Sequence, residues 1–386
     1  MLLVDMRFRY YKYSLMLLCF SVALNTWAQE GAPANEPWAG FGVIVNPFVG
    51  KVYKHEEKFH LPIPELSYGT DVDFVIHTYG KKPWHQLRKF PTIGVGVTYT
   101  NYGIDSVYGQ CIGLYPNIIL PLVRGEKLEW TLRLGDGVGY VTKHFRRSAP
   151  VDTINAAIGS HINDFAYFST DLSYHINQHW DVQLGAHFTH ISDASHDKPN
   201  LGVNLYGGHV GLSYFPVTSK PKAIRQKLTP LRNRILVQGR LSMAVVSANS
   251  PGGPHYPVYL ASGYASRRWK SKNKMFLGLD YSYHSDVSAF LKSIEVYPGK
   301  EAQHSWKSAV FFGNEFLFGR LGIVMQVGVY IKQAELIQDP YYEKIGGHYY
   351  LLQKEHGPLK EFFISAFLKT HKTVAELGEF GFGFGF

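Results

Sequence analysis

One short stretch of the chain concentrates the groups that make and break esters. His190 and Ser192 stand two residues apart, with Asp193 next. Asn200 lies in a Lys198-Pro199-Asn200-Leu201-Gly202 turn, and Asn204 opens the segment that follows. In an extended chain successive side chains alternate, so residues i and i+2 share a face about 7 Å apart at Cα. An imidazole at that spacing reaches a hydroxyl, takes its proton and frees an alkoxide to attack an acyl carbonyl. A third polar group on the neighbouring strand fixes the histidine tautomer, and a side-chain amide beside a turn can donate to an oxyanion. On this spacing Ser192 is the candidate nucleophile, His190 the base, Asn204 the orienting group and Asn200 the oxyanion donor. The same residues also suit a polar girdle at the headgroup level of a membrane, and spacing alone leaves both readings open.

The elements that carry them are strands. Trp180, Val182, Leu184, Ala186 and Phe188 form an apolar face, and the same parity continues into His190 and Ser192. On the return segment Tyr206, Val210, Leu212 and Tyr214 are apolar, and their parity begins at Asn204. All three polar groups are therefore expected on the outward face, near the rim. The pattern recurs along the chain. Leu321, Ile323, Met325, Val327, Val329 and Ile331 are aliphatic on one face, with Gly322, Gln326, Gly328 and Lys332 among the residues opposite. Period two means a strand with one apolar and one polar face.

The composition fits long strands better than helices. Of 386 residues 45% are hydrophobic, 15% aromatic and 18% charged, with 38 Gly, 25 Phe and 26 Tyr, too apolar and aromatic for a disordered chain. Mean hydropathy is −0.13, and beyond the first 28 residues no apolar run approaches the roughly 20 residues that span a bilayer as a helix. Strands of 10 to 14 residues exceed the usual five or six or so of a soluble sandwich. The fold class expected is all-β, a transmembrane antiparallel β-barrel of the bacterial outer membrane. The segments near 38–53, 67–80, 91–102, 109–123, 128–143, 165–177, 180–193, 204–216, 232–247, 256–269, 274–287, 305–319, 321–333, 344–353, 361–371 and 375–386 give about sixteen strands. The segment 344–353 is the weakest, so fourteen is the alternative count. A single barrel over 38–386 is expected, with the basic stretch 217–231 as a solvated connector. The ending Phe380-Gly381-Phe382-Gly383-Phe384-Gly385-Phe386 resembles the terminal strand read by the outer-membrane insertion machinery.

Residues 1–28 read as a secretory signal peptide, with Arg7, Arg9 and Lys12 before an apolar core and Thr26-Trp27-Ala28 before the cut. Residues 29–37 form a short leader. Removal of the signal takes Cys19 and leaves Cys111, so no internal disulfide is expected. The formal charge of +9 suits an acidic surface such as phosphorylated lipid without specifying one. Gly135-Asp136-Gly137-Val138-Gly139 looks like a phosphate loop but lies within a strand with no helix after it, so nucleotide binding is not expected. Nothing points to nucleic acid. His175, His187 and His209 fall on inward faces, where solvated histidines are commoner than metal ligands. No cofactor or metal is expected.

His190-Ile191-Ser192-Asp193-Ala194 followed by Pro199-Asn200-Leu201-Gly202 resembles the signature of the outer-membrane lipid A 3-O-deacylase family (PagL type). Ile158 to Asn163 and Trp180 are similar to its longer relatives, the acyloxyacyl hydrolases. The likeness covers about 38–216. It implies a serine-type esterase that removes an acyl chain from lipid A or lipopolysaccharide at the lipid-facing wall of a Gram-negative outer membrane. Ser192 is then the nucleophile, His190 the base and Asn200 part of the oxyanion site. Two positions depart from the family pattern: Asp193 stands where Asn is common, pointing by parity into the lumen, and Asn204 where the family has Glu. The competing expectation is a non-enzymatic barrel, a channel or surface interaction protein, with a degenerate site.

Overall fold

The computed structural model describes residues 38–386 except 55–58, 148–149, 229–232, 248–250, 252, 270, 335–338 and 373. The signal and leader expected over 1–37 lie outside the described residues. The chain forms sixteen antiparallel strands. The first eight are β1 (Phe41–Tyr53), β2 (Ser67–His77), β3 (Thr92–Asn101), β4 (Gln110–Arg124), β5 (Leu128–Val141), β6 (Ile162–His175), β7 (Trp180–Ser192) and β8 (Val203–Tyr214). The second eight are β9 (Ile235–Ser247), β10 (His255–Trp269), β11 (Asn273–His284), β12 (Trp306–Phe318), β13 (Leu321–Lys332), β14 (Tyr341–Gln353), β15 (Glu361–His371) and β16 (Val374–Gly385). The segment on which a count of fourteen turned is a full strand of 13 residues, β14.

These strands close as two rings of eight, which corrects the expected single barrel over 38–386. In the first ring β1 pairs with β8, placing Val49 opposite Gly208. In the second, β16 pairs with β9, placing Phe382 opposite Leu241. Alternation along a strand tells which face meets lipid, and that is the same for either closure. Only the partner of β8 decides, and β8 returns to β1 while the irregular stretch after Phe215 leads to the second ring. A second correction is local. The strand expected to reach 287 stops at His284, where helix α2 (Ser285–Ser293) begins with Asp286 in its first turn. Helix α1 (Pro83–Leu87) lies between β2 and β3.

In a bilayer every backbone N–H and C=O must be satisfied by the protein, and a closed ring does this without an edge. The outward side chains are apolar. On β13, Leu321, Met325, Val327 and Ile331 are exposed while Val324 and Gln326 are buried. No described helix is long and apolar enough to cross a membrane. Rings of eight strands leave room inside only for side chains, and here those are largely polar. In the first ring the Arg133 guanidinium is 2.8 Å from Asp71 and 3.3 Å from Asp73. Thr98 and Tyr115 also donate to Asp71, at 2.7 and 2.5 Å. In the second, Lys274 meets Glu361 at 2.8 Å and Lys344 meets Asp280 at 3.0 Å. The alternate glycines of the C-terminal strand make this filling possible, since a Cβ at Gly383 would come within 2.4 Å of the Phe363 ring.

The outer end of the first ring is sealed by an apolar cluster. Tyr102, Tyr108, Ala157 and Ile158 from the loops pack with Phe165, Ile191, Val203 and Leu205 from the strands, and Leu201 rests against them. The two rings touch at both ends. At one, the Arg88 side chain donates to the Leu317 and Lys272 carbonyls at 3.1 and 2.5 Å. At the other, Ser195 Oγ donates to the Ala375 carbonyl at 2.7 Å.

Arg133, Asp71 and Asp73 are at most 1% exposed. Removing the cation strands two buried carboxylates, a cost of about 3–5 kcal/mol. Arg133→Met should therefore lower the urea unfolding midpoint of the folded protein sharply, and an unchanged midpoint would mean that this ion cluster is not what stabilises the first lumen.

Candidate active site

The polar groups picked out above meet at the outer ends of β6, β7 and β8. Cross-strand register sets them side by side. His190 stands directly opposite Asn204 on β8, and on its other side faces Ala166 of β6. Ser192, the last residue of β7, faces Asp164. Directly opposed residues bring their Cβ atoms within about 5.5 Å, so the contacts follow from the pairing. His190 Nε2 lies 3.0 Å from Ser192 Oγ, and His190 Nδ1 lies 2.5 Å from Asn204 Oδ1. With its Oδ1 as acceptor, Asn204 favours the His190 tautomer protonated on Nδ1. Nε2 then has its lone pair toward the Ser192 hydroxyl, the arrangement a general base needs. Asn204 and Ser192 are buried and His190 is half-buried.

Asn200 is brought to the same place by the turn. Its Oδ1 accepts the backbone N–H of Asp193 at 3.1 Å, which fixes the amide with Nδ2 as the end left to donate. The same bond engages the Asp193 N–H, the backbone donor immediately after Ser192. The turn is pinned from below. Gly202 N–H donates to the Ala157 carbonyl at 2.9 Å, and Asn155 Oδ1 accepts from Ala157 and Ile158 at 3.1 and 3.3 Å. Gly202 has φ +75°, and a Cβ there would come within 2.8 Å of His190 Cε1. A side chain at this position would collide with the His190 ring.

Asp193 does not extend the alternation into the lumen. It lies one residue past β7, buried in the loop, where a Cβ on Gly159 would come within 3.0 Å of its Oδ2. Burial, and then the nearby charge of Asp197, push its carboxyl up to about 7. The inward histidines find partners in the lumen. His175 Nδ1 is 2.8 Å from Asp181, His209 Nε2 is 2.5 Å from Asp171, and His187 lies 3.3 Å from His209.

Two features of the site escape sequence reasoning. Asp164 falls on the outward face beside Ser192 because β6 begins at Ile162, three residues before the expected start. Extending the alternation of Ala166 and Phe168 backward by one pair would have found it. Gly202 stands in the turn named from the sequence, but its contact with His190 has no local signal, because it depends on a ring twelve residues away and on a separate loop.

Two family models match the chain. Residues 68–213 match lipid A 3-O-deacylase (PagL), and residues 235–386 match the C-terminal domain of acyloxyacyl hydrolase. The first lies within the first ring, and the second runs from the start of β9 to the end of the chain. Among solved structures, the outer membrane enzyme PagL is 17% identical over 44% of this chain and 97% of its own, with a TM-score of 0.29. CdiB from Acinetobacter baumannii is 10% identical over 89% of this chain and 59% of its own, with a TM-score of 0.19. A mutant porin from Rh. blastica is 11% identical over 90% of this chain and 99% of its own, with a TM-score of 0.20. No curated protein matches.

The contact between Gly202 and His190 gives a test. Gly202→Ala adds strain at positive φ and displaces the imidazole, and a misplacement on the scale of 1 Å costs about 10²-fold in rate. Turnover of an acyl ester should fall by about that factor, with the heat-modifiable gel mobility of a folded barrel retained. Unchanged turnover would show that Gly202 does not set the position of the ring.

Proposed function

We propose that this chain, which belongs to the family of lipid A 3-O-deacylases (PagL) and acyloxyacyl hydrolases, is an outer-membrane esterase that removes an ester-linked acyl chain from lipid A by a Ser-His mechanism. The observation that carries the mechanism is the unbroken chain of contacts Ser192–His190–Asn204, at 3.0 and 2.5 Å, on the outward face of β7 and β8. Ser192 gives its proton to His190 Nε2, and its oxygen bonds to the ester carbonyl carbon. The oxyanion that forms is met by Asn200 Nδ2. As it collapses, the bond from the acyl carbon to the sugar oxygen breaks, and His190 returns the proton to that oxygen. Water then attacks the acyl-serine, again giving a proton to His190, and the fatty acid leaves as Ser192 is restored.

Asn204 does half of what an acid would do here. Its carbonyl selects the productive tautomer of His190, but it carries no charge to stabilise the imidazolium. Asp→Asn in a serine protease triad costs about 10⁴ in turnover, with the wrong tautomer as the cause. The tautomer is retained here, so the loss should be smaller. The competing reading, a channel, needs an open lumen. Two rings of eight with interiors filled by ion pairs count against it.

Mass spectrometry of lipid A from cells expressing the wild-type protein should show the loss of one acyl mass, and Ser192→Ala should abolish it. Identical spectra from a folded wild-type barrel would remove lipid A as the substrate. Asn204→Glu, which restores the charge of the family pattern, should raise turnover by about tenfold or more. No gain in a folded variant would mean that position 204 does not act through His190.

A further inference from the structure

Three side chains from the two rings converge at their outer ends, beside the loop that follows β7. His196 and Asp197 belong to that loop, and His255 is the first residue of β10 in the other ring. Asp197 Oδ2 is 3.1 Å from His196 Nδ1, and Asp197 Oδ1 is 3.0 Å from His255 Nε2. One ligand atom from each residue lies within 4.8 Å of the other two, and the imidazole rings sit 4.8 Å apart between centroids. Among the described residues this is the one group of three or more His, Cys, Asp or Glu side chains that converges in this way.

We propose that His196, Asp197 and His255 bind a zinc ion that fastens the 193–202 loop to the second barrel. Zinc takes imidazole nitrogen and carboxylate oxygen at about 2.0–2.2 Å. In tetrahedral geometry this places ligand atoms roughly 3.3–3.6 Å apart. The two nitrogen–oxygen separations, one to each carboxylate oxygen, lie near that range, and one ligand atom from each residue lies within 4.8 Å of the others, so rotation of the exposed rings closes them on an ion. The donor set chooses the metal. Calcium and magnesium ask for oxygen ligands throughout, whereas two imidazoles with one carboxylate suit zinc and its neighbours. Three protein ligands leave a position for water, and the exposure of His196 and His255 provides it.

The position gives the ion something to do. At this seam the rings are joined by hydrogen bonds: Ser195 Oγ to the Ala375 carbonyl, Ser247 N–H to the Ser195 carbonyl at 3.3 Å, and the Asp197–His255 contact itself. Asp193 and Asp197 bring two carboxylates into one short loop, while the Lys198 ammonium is turned to Ser195 Oγ at 3.3 Å. A divalent cation on Asp197 offsets this negative charge and joins the rings by bonds that do not exchange with water as readily. The loop so fixed is the one that carries Asn200.

The test uses the full chain without an affinity tag, folded in detergent, stripped with EDTA and titrated with zinc chloride in a calorimeter. One zinc per chain is expected, with a higher unfolding temperature in the loaded form and no displacement by excess calcium. His196→Ala and His255→Ala should each keep folded-barrel mobility and lose more than the roughly 10–100-fold in zinc affinity that an outer-shell partner costs. His356→Ala, at an exposed histidine elsewhere, should bind as wild type does. Absence of stoichiometric zinc uptake by the wild type, or uptake unchanged in both His196→Ala and His255→Ala, overturns the proposal. The readout is metal binding, so it stands or falls independently of the esterase reading.

Discussion

A bilayer core offers no hydrogen bonds to a peptide group, and the rest of this structure follows from that. Each strand must be flanked on both sides, so the sheet closes. Closing after eight strands rather than sixteen makes the lumen narrow enough to be filled by side chains such as Arg133, Tyr115 and Asp71. With the interior filled, what remains for chemistry is the outer wall and the rims. His190 and Ser192 lie where wall and rim meet, at the last outward positions of a strand whose earlier outward residues are apolar.

How much of this was legible depends on whether the signal was local. The faces of the strands were, because alternation is a property of a few consecutive residues, and the outward placement of His190, Ser192 and Asn204 came directly from it. The role of Asn200 was half legible. Its nearness to Ser192 followed from the turn, but the bond to the Asp193 amide, which decides which end of the side chain is left to donate, did not. The number of rings was not legible at all, since β8 shows the same alternation whether it pairs with β1 or with β9. Asp193 was misplaced for a related reason: parity holds only while the strand continues, and the strand ends one residue earlier.

The second ring gives the first something a lone barrel of eight strands would lack. Loops at a barrel rim are the least constrained part of the fold, yet the 193–202 loop holds the Asn200 amide on the Asp193 N–H at 3.1 Å. Part of that constraint comes from below, through Ala157, Asn155 and the apolar seal. Part comes from the side, where Ser195 meets β16 and Asp197 meets β10. The neutral Asn204 fits this picture of a site whose geometry is well supported even where its electrostatics are modest.

The outward parity of His190, Ser192 and Asn204 changes what concentration would mean for an esterase at this place. A lipid substrate of the same leaflet would meet Ser192 by lateral diffusion within a film, without first leaving for water. The governing quantity is then the mole fraction of that lipid in the surface. In a membrane where that lipid is abundant, such a site would be crowded with it at all times, and tight binding would add nothing to the rate. What distinguishes one lipid from another must then lie in how far its reactive bond sits below the surface, because the height of Ser192 on the wall is set by the length of β7.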